Sequence, residues 1–264
     1  MVRVGGCSRC WMKWRRNSVG LVVLVLAPAL ALGGCGGGGE PEPAMLVPLP
    51  AGAQSGATKP ARHGADAGRL TVQVTRPVRL RATPGGRVVG GIVPQTEFDS
   101  ATIVPVMRQR GSWLGVISSA LPNGRIGWIS ANAALVPYRI RWSVVALLGR
   151  REVVVRRAGR VVMRFPVAIG SASTPTPTGR FAVTDKLLTE DPASPYGCCI
   201  LALSAHQPLT PQGWGGGDRV AIHATNLPET IGTAASLGCL RGPADEIRRA
   251  VRAVPLGTVV TIRA

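Results

Sequence analysis

The chain has 264 residues, a hydrophobic fraction of 45% and a formal charge of +18, from 31 basic against 13 acidic residues. That content excludes a wholly disordered chain and fits one or two packed domains; aromatics at only 4%, beside 34 Gly and 22 Pro, favour short strands joined by turns. The charge is mostly arginine, but no zinc-finger spacing, aromatic RNA-binding signature or basic heptad accompanies it, and much of it lies along strand-like runs such as RREVVVRRAGRVVMR, so it reads as a solvated face and nucleic acid is not the expected partner.

The N-terminal segment MKWRRNSVGLVVLVLAPALALGGC, residues 12–35, opens on Lys13, Arg15 and Arg16 and continues as an apolar run from Val19 to Leu32. This is the build of a secretory signal, and the run is shorter than the roughly 20 apolar residues of a membrane span. Met12 makes a tidier start than Met1, which sets Cys7 and Cys10 aside. The ending Leu32-Gly33-Gly34-Cys35 resembles the lipobox of bacterial lipoproteins. The resemblance implies that residues 1–35 are a lipoprotein signal, that Cys35 is lipidated, and that the protein is anchored at the outer face of the cytoplasmic membrane, in the cell wall. Residues 36–68, rich in Gly and Pro, read as a flexible tether with a typical reach of about 30 Å. His63 lies in the tether and is not expected to be catalytic.

Residues 69–137 carry short alternating apolar bursts (LTVQV, GGIV, TIVPVM, WLGVI and IGWIS) separated by turn signals at TPGG and LPNGR. The alternation predicts strands of a small barrel, with a hairpin turn at Asn123-Gly124. Trp113 and Trp128 are read first as core residues and second as groove residues. The runs VRLRATPGGRVVGGI, RGSWLGVI and GRIGWIS resemble the bacterial SH3-like domain, which implies a module that binds cell-wall material.

Residues 138–264 hold further strand-like runs: WSVVALLG, EVVVRR, RVVMRFPVAIG, GRFAVTD and GTVVTIR, with a tight turn at Arg157–Gly159. One helix is predicted over 243–254, where Pro243 suits the first turn, Asp245 and Glu246 match the dipole, and Ile247, Ala250, Val251 and Val254 repeat at helical spacing. It follows AASLGCLRGP, so Cys239 stands shortly before a helix N-terminus, a position that favours a thiolate.

A cysteine nucleophile needs a base, a group to orient that base, and donors for the developing oxyanion. Beside the tether's His63 the chain offers His206 and His223, of which His223 is on a clear strand. In DRVAIHATN it alternates with Val220 and Ile222, so the imidazole faces away from the apolar pair, toward a cleft. Sixteen residues, with Pro228 and Gly232 between, separate it from Cys239, and a folded-back loop must bring the two together. Gly238 permits unusual backbone angles and a close substrate approach, and the N–H groups of Gly238 and Cys239 are candidate oxyanion donors. On spacing alone the alternative stands: a free cysteine is usually buried and inert.

The block IHATN…SLGCLR, with FPVAIGSASTPTPTGRFAV, DPASPYG and PLGTVVTI, resembles the L,D-transpeptidase catalytic domain of the YkuD type. The resemblance implies a mainly β chain, an SH3-like barrel followed by a β-rich catalytic domain with a short C-terminal helix. It implies Cys239 as nucleophile, His223 as base, Ser236 and Gly238 as catalytic-block residues, and Arg241 and Tyr196 as substrate-binding residues. It also implies a peptidoglycan stem-peptide substrate, 3→3 cross-linking through a thioester, acylation by carbapenems, and no cofactor. Hydrolysis by the same apparatus, an L,D-carboxypeptidase, and a non-catalytic wall-binding protein are the alternatives. Leu237 departs from the pattern where a histidine is usual, as does Ala224 where glycine is usual. The adjacent Cys198 and Cys199 are expected to face opposite sides of a strand, with a vicinal disulfide as the sharper possibility, and no metal is expected, because paired-ligand spacing is missing.

Overall fold

The computed structural model describes residues 68–189, 191, 193–209 and 217–264. The expected signal, Cys35 and the tether as far as residue 67 lie outside the described residues. The first sheet comprises β1 (Arg69–Val74), β2 (Val78–Arg81), β3 (Val88–Ile92), β4 (Ile103–Arg110), β5 (Trp113–Val116), β6 (Gly127–Ser130) and β7 (Leu135–Ile140). Its order is β3-β2-β6-β5-β4-β1-β7, and all neighbours are antiparallel. Alternation turns Val72, Val74, Leu80, Leu114, Val116 and Ile129 into one apolar core. Trp128 is buried and Trp113 half-buried, but both lie outside that core. No tight hairpin forms at Asn123-Gly124: β5 ends at Val116 and β6 begins at Gly127, so these residues sit in a longer connection. Gly124 does take a positive φ of 77°, while the Asn123 side chain donates to the His206 carbonyl at 2.6 Å and accepts from its N–H at 2.9 Å.

The second sheet comprises β8 (Trp142–Leu147), β9 (Glu152–Arg157), β10 (Arg160–Pro166), β11 (Gly179–Leu188), β12 (Cys199–His206), β13 (Arg219–His223), β14 (Leu240–Arg241) and β15 (Val259–Arg263). Its order is β10-β9-β8-β15-β11-β12-β13-β14, with β15–β8 and β13–β14 parallel and the other pairs antiparallel. Only Arg141 separates β7 from β8. The expected turn between β9 and β10 is present, with Ala158 and Gly159 at φ 49° and 79°. The helix α1 (Ala244–Ala253) follows its predicted pattern: Ile247, Ala250 and Val251 are buried, and Asp245 and Glu246 occupy the first turn. A mainly β chain with one short helix near the end is therefore what the sequence led us to expect.

Two features position the site. The chain leaving β10 runs along β14, where Ala168 exchanges backbone hydrogen bonds with Arg241 (2.8 and 3.1 Å) and the Ser236 N–H donates to the Ile169 carbonyl (3.0 Å). The far edge of the sheet is thus folded back to brace the strand that carries the cysteine. The outer strand β14 is held on its other side by β13, with Ile222 opposite Leu240 and His223 opposite Arg241.

Candidate active site

Val220, Ile222 and Leu240 enter the core, so Ala221, His223, Cys239 and Arg241 share the opposite face of the β13–β14 pair. By the parallel register Cys239 lies beside Ala221 and diagonal to His223. The Ala221 N–H donates to Cys239 Sγ at 3.4 Å. This pairing is the folded-back arrangement that the sixteen-residue interval required.

His223 is only 3% exposed. Its Nδ1 donates to the Ala224 carbonyl at 2.5 Å, and the Tyr196 backbone carbonyl also lies near the ring. The Tyr196 ring stands edge-on to the imidazole with centroids 4.9 Å apart. Burial lowers the His223 pKa to about 4, with the Arg241 charge acting the same way against the two carbonyls. The ring is therefore neutral at pH 7. With its N–H turned to a carbonyl, it keeps one unprotonated nitrogen able to take a proton.

Cys239 is half-buried, and burial pushes its thiol up; the Ala221 N–H and the Arg241 charge oppose that without cancelling it. The expected thiolate bias from a helix N-terminus does not hold, because β14 stands between the cysteine and α1. Both groups are thus neutral at rest, a thiol on β14 and an imidazole on β13.

Ser236 shapes the turn. Its Oγ donates to the Cys239 carbonyl at 2.6 Å and accepts from the Gly238 N–H at 3.1 Å. That corrects one expectation: the Gly238 N–H is engaged within the turn and is not free as an oxyanion donor. Gly238 has φ +114°, as anticipated for a position only glycine tolerates. Its missing side chain does not open space for substrate, however, since a Cβ there would lie 2.8 Å from Gln207 Nε2.

Sequence reasoning missed Gln207. It is buried, and its Nε2 donates to the Pro175 carbonyl at 2.5 Å, so it props the Cys239 turn against the 171–176 loop. From that loop the Ser171 N–H and Thr174 Oγ1 donate to the Ser236 carbonyl at 2.9 and 3.2 Å. A lone glutamine after a strand carries no periodic or motif signal, and only the fold reveals its place.

Arg241 lies abreast of His223 with its Nε buried and unpartnered. Tyr196 is held at about 12 by burial and by the proximity of Cys239, so it remains a hydroxyl donor. Its loop is fixed by Gly197 N–H to Ser194 O at 2.9 Å and by Asn226 Nδ2 to Ala193 O at 3.2 Å. The two departures from the family pattern fare differently. Leu237 is 37% exposed on the turn and contributes no polar group. Ala224 is accommodated by Gly197, where φ is +60° and a Cβ would meet the Ala224 Cβ at 2.7 Å.

Cys198 and Cys199 are bonded to each other, with Cys199 in the core and Cys198 packed at its margin. His206, contrary to the expectation that only His223 sits on a strand, ends β12. It faces the first sheet, with Nδ1 3.0 Å from the Asp218 carboxylate and Nε2 2.8 Å from the Ser119 carbonyl. Among the described residues no three His, Cys, Asp or Glu side chains cluster as metal ligands would.

Compared with known proteins, residues 141–262 match the model of the YkuD family, described as the L,D-transpeptidase catalytic domain. A Bacillus subtilis protein that bears the provisional name L,D-transpeptidase YkuD is 33% identical over 126 residues, covering 48% of this chain and 68% of its own. Among solved structures, a mutant Enterococcus faecium L,D-transpeptidase is 21% identical, with a TM-score of 0.36 and coverage of 46% of this chain and 49% of its own. An L,D-transpeptidase from Mycobacterium smegmatis is 17% identical, with a TM-score of 0.40 and coverage of 73% and 99%.

Proposed function

The chain belongs to the L,D-transpeptidase catalytic-domain family, and from that premise we propose that it cross-links peptidoglycan stem peptides with Cys239 as nucleophile. The observation that carries the reading is the parallel β13–β14 register, which sets Cys239, His223 and Arg241 on one face. In this reaction the Cys239 proton passes to the neutral His223 while Sγ attacks the carbonyl at the third residue of a tetrapeptide stem. The oxyanion that forms is met by the Cys239 N–H and the Tyr196 hydroxyl. Collapse expels the terminal D-alanine, whose amine takes the proton from His223. An acceptor stem's amine then attacks the thioester, His223 removes the amine's proton, and the thiol is restored in a 3→3 cross-linked product. The unpartnered Arg241 Nε marks the guanidinium as the contact for a carboxylate of the donor stem.

By the same reading the first sheet is an SH3-like module that holds the enzyme on the wall, behind an export signal lipidated at Cys35. Support for this comes from the sequence runs quoted above, since the family match begins only at residue 141. Incubating the purified protein with defined disaccharide-tetrapeptides tests the reaction. The expected product is a 3→3 dimer with release of D-alanine. Tripeptide alone would replace the transferase by a carboxypeptidase, and unchanged substrate would replace it by a wall-binding protein.

A further inference from the structure

Residues 69–140 contain nine arginines and no lysine, against only Glu97 and Asp99. Their placement is not diffuse. In the first sheet Arg81 is opposite Trp128, Trp128 opposite Gly115, Gly115 opposite Arg108, and Trp113 opposite Arg110. These residues, with Arg79 two positions from Arg81, share the face opposite the core residues Leu80, Leu114 and Ile129.

The guanidinium groups interleave with the indoles. Arg81 lies 5.8 Å from the Trp113 ring centroid and Arg110 5.4 Å from that of Trp128. Gly115 makes the arrangement possible, because a Cβ there would sit 3.3 Å from the Trp128 ring and 3.4 Å from the Arg108 Cβ. Stacking of this kind holds a guanidinium flat while its N–H edge can still donate; Arg81 spends one such donor, Nη1, on the Gly86 carbonyl at 2.6 Å. Arg108 continues the face into a groove of about 720 Å³, whose lining among the described residues includes Arg69, Arg139 and Trp142 and no acidic residue. Beside it Arg157 stacks 5.6 Å from the Trp142 ring. Among the described residues, no ion pair involves Arg79, Arg81, Arg108 or Arg110.

So many like charges on one surface repel one another, and an anion that spans them relieves that cost. We propose that this arginine face and the groove joined to it bind a linear polyol-phosphate polymer. Arginine, with its planar fork, takes phosphate oxygens two at a time, which suits this surface to that ligand. The indoles are covered by guanidinium groups, so no free ring is offered to a nucleobase, and the polymer is one without bases. This surface lies apart from Cys239 and does not rest on the proposed reaction.

The test is binding of the full-length chain to poly(glycerol phosphate), followed as a function of salt. Replacing Arg79, Arg81, Arg108 and Arg110 together by glutamine is expected to weaken binding by about tenfold or more near 0.1 M salt and to flatten the salt dependence. Because Arg81 and Arg110 cover tryptophans, the pair Arg79→Gln/Arg108→Gln serves as a second variant, with the same direction of change and an unaltered melting temperature. A control with Arg248, Arg249, Arg252 and Arg263 replaced by glutamine should bind like wild type. Equal weakening in the control, binding unchanged in both face variants, no binding by the wild type, or a deoxythymidine oligomer held as tightly as the polyol phosphate would each overturn the assignment.

Discussion

Changing Cys239 to alanine is expected to lower turnover of a tetrapeptide stem by about 10⁴-fold or more, because the remaining donors can polarise a carbonyl but cannot form a thioester. The fold should survive the change. Among the described residues the sulfur is tied by the Ala221 N–H at 3.4 Å alone, and the turn around it is held by backbone and Ser236 contacts that alanine keeps. Unfolding of the variant should therefore fall within about 1 kcal/mol of wild type. A large loss of activity with an unchanged melting curve separates a nucleophile from a structural thiol.

Replacing His223 by glutamine has the second largest expected effect, in two measurements with different causes. Glutamine can still donate to the Ala224 carbonyl but cannot accept the thiol proton, so acylation should slow by about 10²–10⁴-fold. The same variant changes the response to acid. In the folded protein burial lowers the His223 pKa to about 4, whereas in the unfolded chain it returns to about 6.5. The unfolded state therefore binds the proton first as pH falls. The stability held by keeping the ring neutral is fully present above about pH 6.5 and is lost on the way down to about pH 4, by about 3 kcal/mol. Denaturant titrations of wild type should show that loss, and His223→Gln should lack most of it. A kcat/KM profile of the wild type should likewise show no acid limb near pH 6.5, since the base stays neutral well below that; a limb there would mean a solvated imidazole.

The strong periodicities were legible before folding. α1 announces itself through its apolar spacing and acidic first turn, and β1, β9 and β15 through apolar alternation or β-branched runs between turns. β12 was legible only at its Cys199 end, because Cys199 to His206 is buried on both faces and so lacks the period-two contrast that marks a half-exposed strand. The pair His223 and Cys239 could be nominated from residue types and a family likeness, but its closeness depends on a two-residue strand pairing in parallel, which no local pattern specifies. Details of the turn were hidden for the same reason. Capture of the Gly238 N–H by Ser236, and occupation by Gln207 of the space glycine leaves, both arise from packing between segments distant in sequence. The compensation of Ala224 by Gly197 belongs with them, as two departures that make sense only as neighbours.

The most direct test of the account is the intact mass of the protein after exposure to a carbapenem, with the modified peptide then located. The proposed reaction of the Cys239 thiol with the His223 imidazole as base predicts one adduct on the wild-type chain, placed on Cys239, slower to form in His223→Gln and missing in Cys239→Ala. No adduct on wild type, or an equal one on Cys239→Ala, would contradict it.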